Sequence, residues 1–439
     1  MSAKLSAKRG AAPDAATTKP GSAARMAALN LLRSVLEKNR PLDEAWGSAV
    51  ADLEVRDRAL VRASVATALR RRGQIDDLID AMLDKKLPPS AQAATQILRL
   101  GIAELMFMGL APHAAVDGAV SVAKARAPRF AKLVNALLRR LGREGEALVA
   151  GQDAARLNCP DWLWRRWEAA YGEAGARALA EAHLTEAPLD ITVKSDPAAW
   201  AEKLEASVLP SGSLRRTGGG QVDILPGFAE GAWWVQDAAA ALPARLAGDV
   251  AGRRVIDLCA APGGKTAQLA AAGATVTAVE KNAKRATRLT QNLERLGLQA
   301  ELVVADAGTW TPPAPADIVL LDAPCSATGT LRRHPDIAFN KDAVDIATLA
   351  RAQARLLDGA ANMVAPGGLL IYCTCSLEPE EGEAQVQPFL VRNPQFKVEP
   401  ITAAEIGGME QAITPDGALR TRPDQGWDGF YTVRFRRSA

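Results

Sequence analysis

Two cysteines that follow apolar segments are the residues in this chain best suited to chemistry. Cys325 lies in the sequence D-A-P-C-S and Cys375 in T-C-S, and each follows a run typical of a buried strand. A buried cysteine is usually an inert small hydrophobic residue, but a thiolate in a ligand cleft is a nucleophile. Cys325 and Cys375 are therefore candidate catalytic groups if the fold brings the two strand ends together.

A turn of small residues after another predicted strand indicates a ligand site. The strand covers residues 255–258, and a helix is expected to begin near Lys265. Backbone N–H groups of such a turn can contact a ligand at the amino end of the helix. The spacing matches neither the dinucleotide motif G-x-G-x-x-G nor the nucleoside triphosphate loop. It therefore disfavours dinucleotides and nucleoside triphosphates as ligands. The residues of this turn are Cys259, Ala260, Ala261, Pro262, Gly263, Gly264 and Lys265.

Two carboxylates follow the next predicted strands. Glu280 ends a strand predicted at residues 275–279, where it could accept hydrogen bonds from two ribose hydroxyls. Asp306 follows a strand predicted at residues 301–304 and could accept a hydrogen bond from an adenine amino group. Each acid alone could simply cap a helix. Their joint placement behind the glycine turn favours an adenosine ligand without a phosphate chain, namely S-adenosylmethionine.

A methyl donor beside two thiols points to methylation of carbon 5 of a pyrimidine. That carbon is a poor nucleophile, but a thiolate that adds to carbon 6 makes carbon 5 enamine-like. The proton on carbon 5 must then leave before the thiol is expelled, and a second cysteine could assist. Asp322, after a strand predicted at residues 317–321, could stabilise charge on the ring. The base must be flipped out of its stack to reach the thiol.

These strands belong to a repeating pattern that predicts an α/β domain over residues 231–439. Strand and helix signals alternate, which is typical of a doubly wound, Rossmann-like sheet with right-handed crossovers. A fifth strand is expected at residues 368–372 and a last, edge strand at residues 430–435. Because ligands bind beyond the carboxyl ends of such strands, the candidate residues should share one rim.

The preceding part of the chain predicts three other regions. Residues 1–22 are rich in Ala, Lys, Ser and Pro and predict a disordered basic tail. Residues 23–145 carry apolar residues at helical spacing throughout and predict an all-helical domain. Residues 146–230 predict a small α+β domain, with a linker at 142–158 and a half-buried strand at 189–193. A helix is expected at 197–206 and a turn at 218–220.

Basic residues cluster within the predicted helical domain. Solvated helix faces would explain any one of them, but their number on a few segments favours an RNA-facing patch. The net charge of +3 for the whole chain says little by itself. The clustered residues are Arg70, Arg71, Arg72, Lys124, Arg126, Arg129, Lys132, Arg139 and Arg140.

Composition narrows the cellular setting. With 439 residues, the chain is too long for one core, which predicts several domains. No long apolar run predicts a membrane span, and the first residues do not resemble a secretory signal. The five cysteines follow no zinc spacing, so we expect no metal and a reducing, cytoplasmic compartment. A monomer with RNA as its partner is the simplest expectation.

Three segments together resemble the RNA cytosine-5 methyltransferases of the Sun/NOL/NOP group. They read D-L-C-A-A-P-G-G-K-T, D-A-P-C-S-A-T-G-T-L-R-R-H-P-D and Y-C-T-C-S-L-E-P-E-E-G-E. The helical first domain looks like the NusB-like domain of the RsmB-type branch, which acts on small-subunit ribosomal RNA. The resemblance covers essentially the whole chain after the tail. It implies S-adenosylmethionine-dependent methylation of a cytosine in 16S ribosomal RNA.

The resemblance also implies roles for individual residues. Cys375 would be the nucleophile, and Cys325 would assist release of the methylated product. Lys265 and Asp322 would help to orient the cytosine. The cofactor would lie against the turn of residues 259–265 and the acids Glu280, Asp306 and Asp322. RNA near the flipped base would contact Arg332, Arg333 and His334.

Two departures from the family pattern and three alternative functions remain open at this point. Glu280 stands where an Asp is common, although the carboxylate is retained. Cys373 would share a strand face with Cys375, which leaves open which of the two attacks. The alternatives are the same chemistry on transfer RNA, a non-catalytic RNA-binding assembly factor, and a nicotinamide dehydrogenase. The two cysteines disfavour the assembly factor, and the missing G-x-G-x-x-G disfavours the dehydrogenase.

Overall fold

The structure, a computed structural model, describes residues 21–217 and 221–439. The chain divides into two compact units, of which the first ends at Gln152 and the second begins at Asp153. The predicted tail of residues 1–22, except for its last two residues, and the predicted turn at 218–220 lie outside the described residues. Within the described ranges, no helix is both long enough and apolar enough to cross a membrane.

The first unit is helical, as predicted. Its apolar residues recur at three- and four-residue intervals, so that Leu29 and Leu32 of the first helix are both buried in the core. A short π-helical turn, Ala103–Phe107, continues the fifth helix. The helices are α1 (Ser22–Lys38), α2 (Leu42–Val50), α3 (Val55–Arg70), α4 (Arg72–Met82), α5 (Gln92–Ile102), α6 (Pro112–Arg126) and α7 (Ala131–Ala150).

The predicted linker at residues 142–158 is wrong, because most of this segment is helical. Helix α7 continues to Ala150, and α8 (Ala154–Asn158) fills the end of the segment. Two glycines, Gly142 and Gly145, lower the helix propensity by about 1 kcal/mol each. Packing outweighs this cost, since Gly145 is buried and lies directly against the side chain of Met106.

The second unit begins with a long helix and a small antiparallel sheet. The sheet has the strand order β2-β3-β1-β4. The predicted half-buried strand is covered on both faces, because Ile191 packs with Leu214 and Trp233 while Asp190 is ion-paired on the other side. The predicted helix at 197–206 ends earlier, at Lys203. The elements are α9 (Asp161–His183), β1 (Leu189–Val193), α10 (Pro197–Lys203), β2 (Ser207–Val208), β3 (Leu214–Arg216) and β4 (Trp233–Val235).

The rest of the second unit is a large mixed sheet with helices. Its strand order is β10-β12-β9-β8-β5-β6-β7, and β11 also pairs with β12. The five strands from β7 to β9 in this order are parallel, and β12 is antiparallel to β9. The strands are β5 (Arg254–Leu258), β6 (Thr275–Val279), β7 (Glu301–Val303), β8 (Ala316–Asp322), β9 (Val364–Thr374), β10 (Phe396–Val398), β11 (Leu419–Thr421) and β12 (Phe430–Arg437).

Helices separate the parallel strands, except between β7 and β8, where a loop makes the connection. This arrangement confirms the predicted Rossmann-like domain, with one correction. The strand predicted at the sheet edge, β12, is interior, because it pairs with β9 on one side and with β10 and β11 on the other. The helices are α11 (Ala238–Arg245), α12 (Gly264–Ala271), α13 (Ala283–Leu296), α14 (Ile337–Asn340), α15 (Ala343–Met363) and α16 (Val386–Arg392).

The strand order reverses next to β5, and this reversal positions the site. The chain passes from β5 outward through β6 to β7 and then returns to β8 on the other side of β5. Crossovers that leave in opposite directions open a crevice beyond the carboxyl ends of β5 and β8. The glycine turn follows β5, and Asp322 ends β8, so both lie at this crevice.

Candidate active site

A buried aspartate on β5 stabilises the glycine turn that follows this strand. Asp257 on β5 is fully buried, and its Oδ2 accepts a hydrogen bond of 2.5 Å from Thr266 Oγ1 on α12. Burial raises the pKa of Asp257 to about 7. Gly263 has a φ of +102° at the amino end of α12, and a Cβ there would lie 3.0 Å from Leu289 Cγ. A glycine is therefore required where the turn approaches α13.

Helix α13 braces the same turn through groups that the sequence analysis missed. Arg285 Nη2 donates to the carbonyl oxygen of Ala261 at 2.6 Å, and Asn292 Nδ2 donates to that of Pro262 at 2.8 Å. The carbonyl oxygens of Ala261 and Pro262 are therefore satisfied, which fixes the turn in position. The sequence offered one signal, the polar residues at helical spacing on α13, but nothing in it identified their targets.

Lys265 and Asp322 form an ion pair between the turn and the end of β8. Lys265 Nζ lies 2.7 Å from Asp322 Oδ2, and the lysine side chain is 9% exposed against 32% for the aspartate. Burial disfavours the charged lysine, but Asp322 outweighs this effect and the pKa of Lys265 is raised. Lys265 therefore stays protonated, and the more exposed Asp322 carboxylate faces the crevice with a fixed orientation.

The carboxylates predicted to contact an adenosine end adjacent strands, but their environments differ. Glu280 is 3% exposed, and its carboxylate accepts hydrogen bonds from the backbone N–H groups of Asn282 (2.8 Å) and Ala261 (3.4 Å). The side chain of Asp306 is 41% exposed and pairs with Lys281 at 2.8 Å. The hydrogen bond from Lys281 holds the pKa of Asp306 below its usual range. Both carboxylates are therefore hydrogen-bond acceptors at the ends of neighbouring strands.

This donor and acceptor set fits S-adenosylmethionine. The backbone of the turn lies close to α12 without bulky side chains, and two carboxylates follow the next two strands in order. A ribose and an adenine present hydroxyl and amino donors, which match these acceptors. On the same rim, the ion pair with Asp322 neutralises Lys265.

The structure brings the two candidate catalytic cysteines together. Cys325 follows β8 and Cys375 follows β9, which are neighbouring parallel strands, and their Sγ atoms lie 3.4 Å apart. Both side chains are partly exposed. The hydrogen bond to Cys375, together with burial, raises the pKa of Cys325 well above its usual range. Cys325 is thus a protonated thiol in contact with the second sulfur.

Cys373 is less suited to attack than Cys375, because it is buried whereas Cys375 is partly exposed. Its side chain is fully buried, in an apolar cluster with Leu369 and Ile371. Burial raises its pKa well above the usual range, and its Sγ donates to Asp322 Oδ1 at 3.6 Å. A buried, protonated thiol is a poor nucleophile, so the geometry favours Cys375 over Cys373.

One prediction about the loop after Cys325 needs correction. Two of the three residues predicted to contact RNA form ion pairs within the protein instead. Arg332 is 5% exposed and pairs with Asp428 at 3.0 Å. Arg333 lies 2.7 Å from Asp428 and 2.7 Å from Asp237. Guanidinium groups held by buried carboxylates are not available to phosphates, so Arg332 and Arg333 anchor the loop instead. His334 is partly exposed and remains a predicted RNA contact.

A doubly wound sheet with a glycine turn and carboxylates at its strand ends is the arrangement of an S-adenosylmethionine-dependent methyltransferase. A family model described as 16S rRNA methyltransferase RsmB/F matches residues 247–436, and a NusB family model matches residues 22–143. The chain belongs to the RsmB/F family of 16S ribosomal RNA methyltransferases.

Relatives and solved structures agree with this assignment. The chain is 36% identical over 430 residues to "Ribosomal RNA small subunit methyltransferase B" of Pseudomonas putida, covering 93% of this chain and 97% of that protein. The protein of the same name from Vibrio cholerae is 34% identical over 428 residues, with 93% and 96% covered. A crystal structure described as PH0851 covers 96% of this chain and 99% of its own, with a TM-score of 0.75 and 24% identity, and supports the fold.

Proposed function

We propose that this protein transfers a methyl group from S-adenosylmethionine to carbon 5 of a cytosine in small-subunit (16S) ribosomal RNA through a covalent cysteine–cytosine intermediate. The observation that carries the proposal is the 3.4 Å separation of the Cys325 and Cys375 sulfurs beside the Lys265–Asp322 pair. A protein that only binds RNA needs neither thiol, whereas this chemistry uses both.

The proposed reaction assigns one step to each group. The Cys375 thiolate forms a bond to carbon 6 of the cytosine, which makes carbon 5 electron-rich enough to accept a methyl cation equivalent. S-adenosylmethionine supplies that group. A base, for which a water molecule suffices, then takes the proton on carbon 5. The electrons of that C–H bond reform the double bond between carbons 5 and 6, and Cys375 leaves carbon 6 as a thiolate. Cys325 lies beside the departing sulfur and assists this release, while Asp322 and Lys265 orient the base.

We also propose how the cofactor lies in the crevice. The turn of residues 259–265 would contact the methionine part, Glu280 the ribose hydroxyls and Asp306 the adenine amino group, with Asp322 near the sulfonium. The order of these groups along β5, β6, β7 and β8 supports this arrangement. The turn has only a few residues, and this short length also disfavours a dinucleotide, which is a longer ligand.

A basic segment of the first unit supports RNA as the partner. Between Asp117 and Glu144 the chain carries no acidic residue, and its Lys and Arg side chains are all exposed. An exposed cationic surface of this kind binds phosphates without reading sequence. We propose that residues 23–145 bind the RNA and that residues 231–439 carry the chemistry. Residues 146–230 would connect these two regions of the chain. The exposed cations are Lys124, Arg126, Arg129, Lys132, Arg139, Arg140 and Arg143.

Because ribosomal RNA is the proposed substrate, we propose further that the protein works in the cytoplasm, and as a monomer. Light scattering of the purified protein, with and without RNA, measures its mass directly. A stable dimer would contradict this part of the proposal without affecting the chemistry.

Bisulfite sequencing of ribosomal and transfer RNA from cells with and without the protein tests the proposed substrate. We expect one cytosine in 16S ribosomal RNA to lose its protection when the protein is absent. The Cys375→Ala variant should fail to restore it, whereas Cys159→Ala, which alters a buried thiol remote in sequence from the site motifs, should restore it. Loss of protection in transfer RNA alone would instead support the alternative substrate.

A further inference from the structure

The residues that follow the two cysteines meet on one buried carboxylate. Ser326 comes directly after Cys325, and its backbone N–H donates to Glu381 Oε1 at 2.9 Å while its hydroxyl donates to Oε2. Ser376 comes directly after Cys375, and its hydroxyl donates to Glu381 Oε2 at 2.6 Å. One side chain therefore holds both cysteine-bearing loops.

The surroundings of Glu381 fix its position firmly. The residue is fully buried, and Gln353 Nε2 donates to its Oε1 at 3.0 Å. Its own carbonyl oxygen accepts hydrogen bonds from the hydroxyls of Tyr372 (2.7 Å) and Thr374 (3.1 Å) on β9. Both the backbone and the side chain of Glu381 are thus tied to the strand that ends at Cys375.

A buried carboxylate usually has a cationic partner, and Glu381 does not. Across residues 21–217 and 221–439, no Lys or Arg forms an ion pair with it, and all its side-chain partners are neutral donors. Its neighbours Glu378, Glu380 and Glu383 are each paired with an arginine. A buried carboxylate without a cation depends on its hydrogen bonds, so the donors of Ser326, Ser376 and Gln353 hold Glu381 in one position.

We propose that Glu381 is a positioning residue that sets the distance and orientation between the sulfurs of Cys325 and Cys375. The two loops leave different strands and also bond to each other directly, through Gly329 N–H to the Cys375 carbonyl oxygen (3.0 Å) and Leu377 N–H to the Thr328 hydroxyl (3.0 Å), but Glu381 is the carboxylate that accepts from both. A carboxylate that accepts from both loops at once makes them one rigid unit. This inference rests on the proposed function, because it explains how attack and release come to act on the same carbon atom.

Two variants of Glu381 test this role. Glu381→Ala leaves the Ser326 and Ser376 donors without an acceptor, and we expect kcat for methylation to fall about 100-fold because small displacements of reacting groups have such effects. Glu381→Gln keeps the size and some of the bonds, and we expect a loss of about tenfold, as for one hydrogen bond. The KM for S-adenosylmethionine should stay within about twofold of the wild type, since the side chain of Glu381 hydrogen-bonds Ser326, Ser376 and Gln353, none of which is proposed to hold the cofactor.

A second measurement reads the distance between the sulfurs without RNA or methyl transfer. An azo oxidant of the diamide class takes two electrons and two protons from the thiols, which then form a Cys325–Cys375 disulfide that peptide mass mapping detects. Disulfide geometry is narrow, so the rate reports how well the sulfurs are placed. We expect fast formation in the wild type, slow formation in Glu381→Ala and an intermediate rate in Glu381→Gln.

The matched control is Glu380→Gln, because this neighbouring acid pairs with Arg166 and its side chain is 49% exposed. It should form the disulfide and methylate RNA at wild-type rates. Wild-type disulfide rates and kcat in both Glu381 variants would overturn the positioning role. If Glu381→Ala does not fold, the kcat and the disulfide rate of Glu381→Gln alone test the positioning role. Failure of the wild type to methylate any RNA would refute the proposed function, while the disulfide rates would still test Glu381.

Discussion

Among the single residues, the two sulfurs in contact carry most of the mechanism. At 3.4 Å, Cys325 touches Cys375 before any substrate is present, and its raised pKa keeps it protonated. A neutral thiol next to the attacking sulfur does not compete with it for the cytosine. After attack, the same thiol lies beside the bond that must break, so the two cysteines differ in role although they are neighbours.

The Cys325→Ala variant should separate attack from release. Cys375 remains able to add to the cytosine, but release is slowed, so we expect a covalent protein–RNA complex to accumulate and turnover to fall by at least about 100-fold. A denaturing gel with labelled RNA detects the complex. The Cys325→Ala/Cys375→Ala double variant is the control and should form none. Absence of any complex in Cys325→Ala itself would count against the release role.

At the level of elements, the crevice depends on how β5, α12 and the loop after Cys325 are anchored. Asp257 holds the first turn of α12, and Arg333 joins the loop to Asp237, at the start of α11, and to Asp428. The Arg333 contacts join residues that lie 95 and 96 positions apart in the sequence, whereas the Asp257 contact spans nine. Local changes at either anchor should therefore alter stability as well as activity.

Asp257 makes the stability of the second unit depend on pH. Its folded pKa of about 7 exceeds the usual aspartate value, so the folded state binds a proton that the unfolded state has already lost. Between about pH 4 and pH 7, this group lowers the free energy of unfolding as the pH rises, by at most about 1.4 kcal/mol per unit. We expect Asp257→Asn to flatten this part of the profile in urea unfolding. The same substitution at exposed Asp249 should leave the slope unchanged, and an unchanged slope in Asp257→Asn would contradict the assignment.

The Arg333→Ala variant distinguishes an anchor from an RNA contact. Removing the guanidinium takes the cation from Asp237 and leaves Asp428 with Arg332 alone, and breaking a buried pair typically costs about 3 kcal/mol. We expect a lower free energy of unfolding and lower methylation, with RNA affinity unchanged in the protein that remains folded. Arg351→Ala, at an exposed helical site, serves as the control. A selective loss of RNA affinity with normal stability would restore the original prediction.

For the whole molecule, the chain separates RNA binding from chemistry in sequence. The NusB-like residues carry the uninterrupted basic segment, and the methyltransferase residues carry the crevice. Such a separation lets the affinity for RNA change without altering the reacting groups. It also means that binding and methylation can be tested independently.

Neutralising part of the basic segment should weaken binding in a salt-dependent way. In the Lys132→Gln/Arg139→Gln/Arg143→Gln variant, we expect RNA affinity to fall and the slope of log K against log salt to decrease by about 2 to 3, close to one per lost phosphate contact. Affinity for S-adenosylmethionine should not change. Lys85→Gln/Lys86→Gln, at exposed sites of the same unit, is the control. An unchanged salt slope in the triple variant would place the RNA elsewhere.

The sequence predicted best what depends on local pattern. The strand at residues 275–279 and the helix after the glycine turn came directly from periodicity and composition, and the cysteine motifs indicated the chemistry. The predictions from the sequence were wrong where the structure depends on residues that are distant along the chain. The interior position of β12 depends on its pairing with β9. The role of Arg333 as an anchor depends on its ion pair with Asp428. The role of Glu381 required knowledge of which loops converge on it, which no local signal gives.

The interior place of β12 has a consequence for biosynthesis. The strand that ends at Cys375, β9, gains its second neighbour only when β12 is present, and β12 is translated after every other strand of the large sheet. A ribosome that stops early would release a polypeptide whose β9 has an open, apolar edge, a surface that invites aggregation and proteolysis. Incomplete translation products should therefore be cleared rather than persist as partly active enzyme.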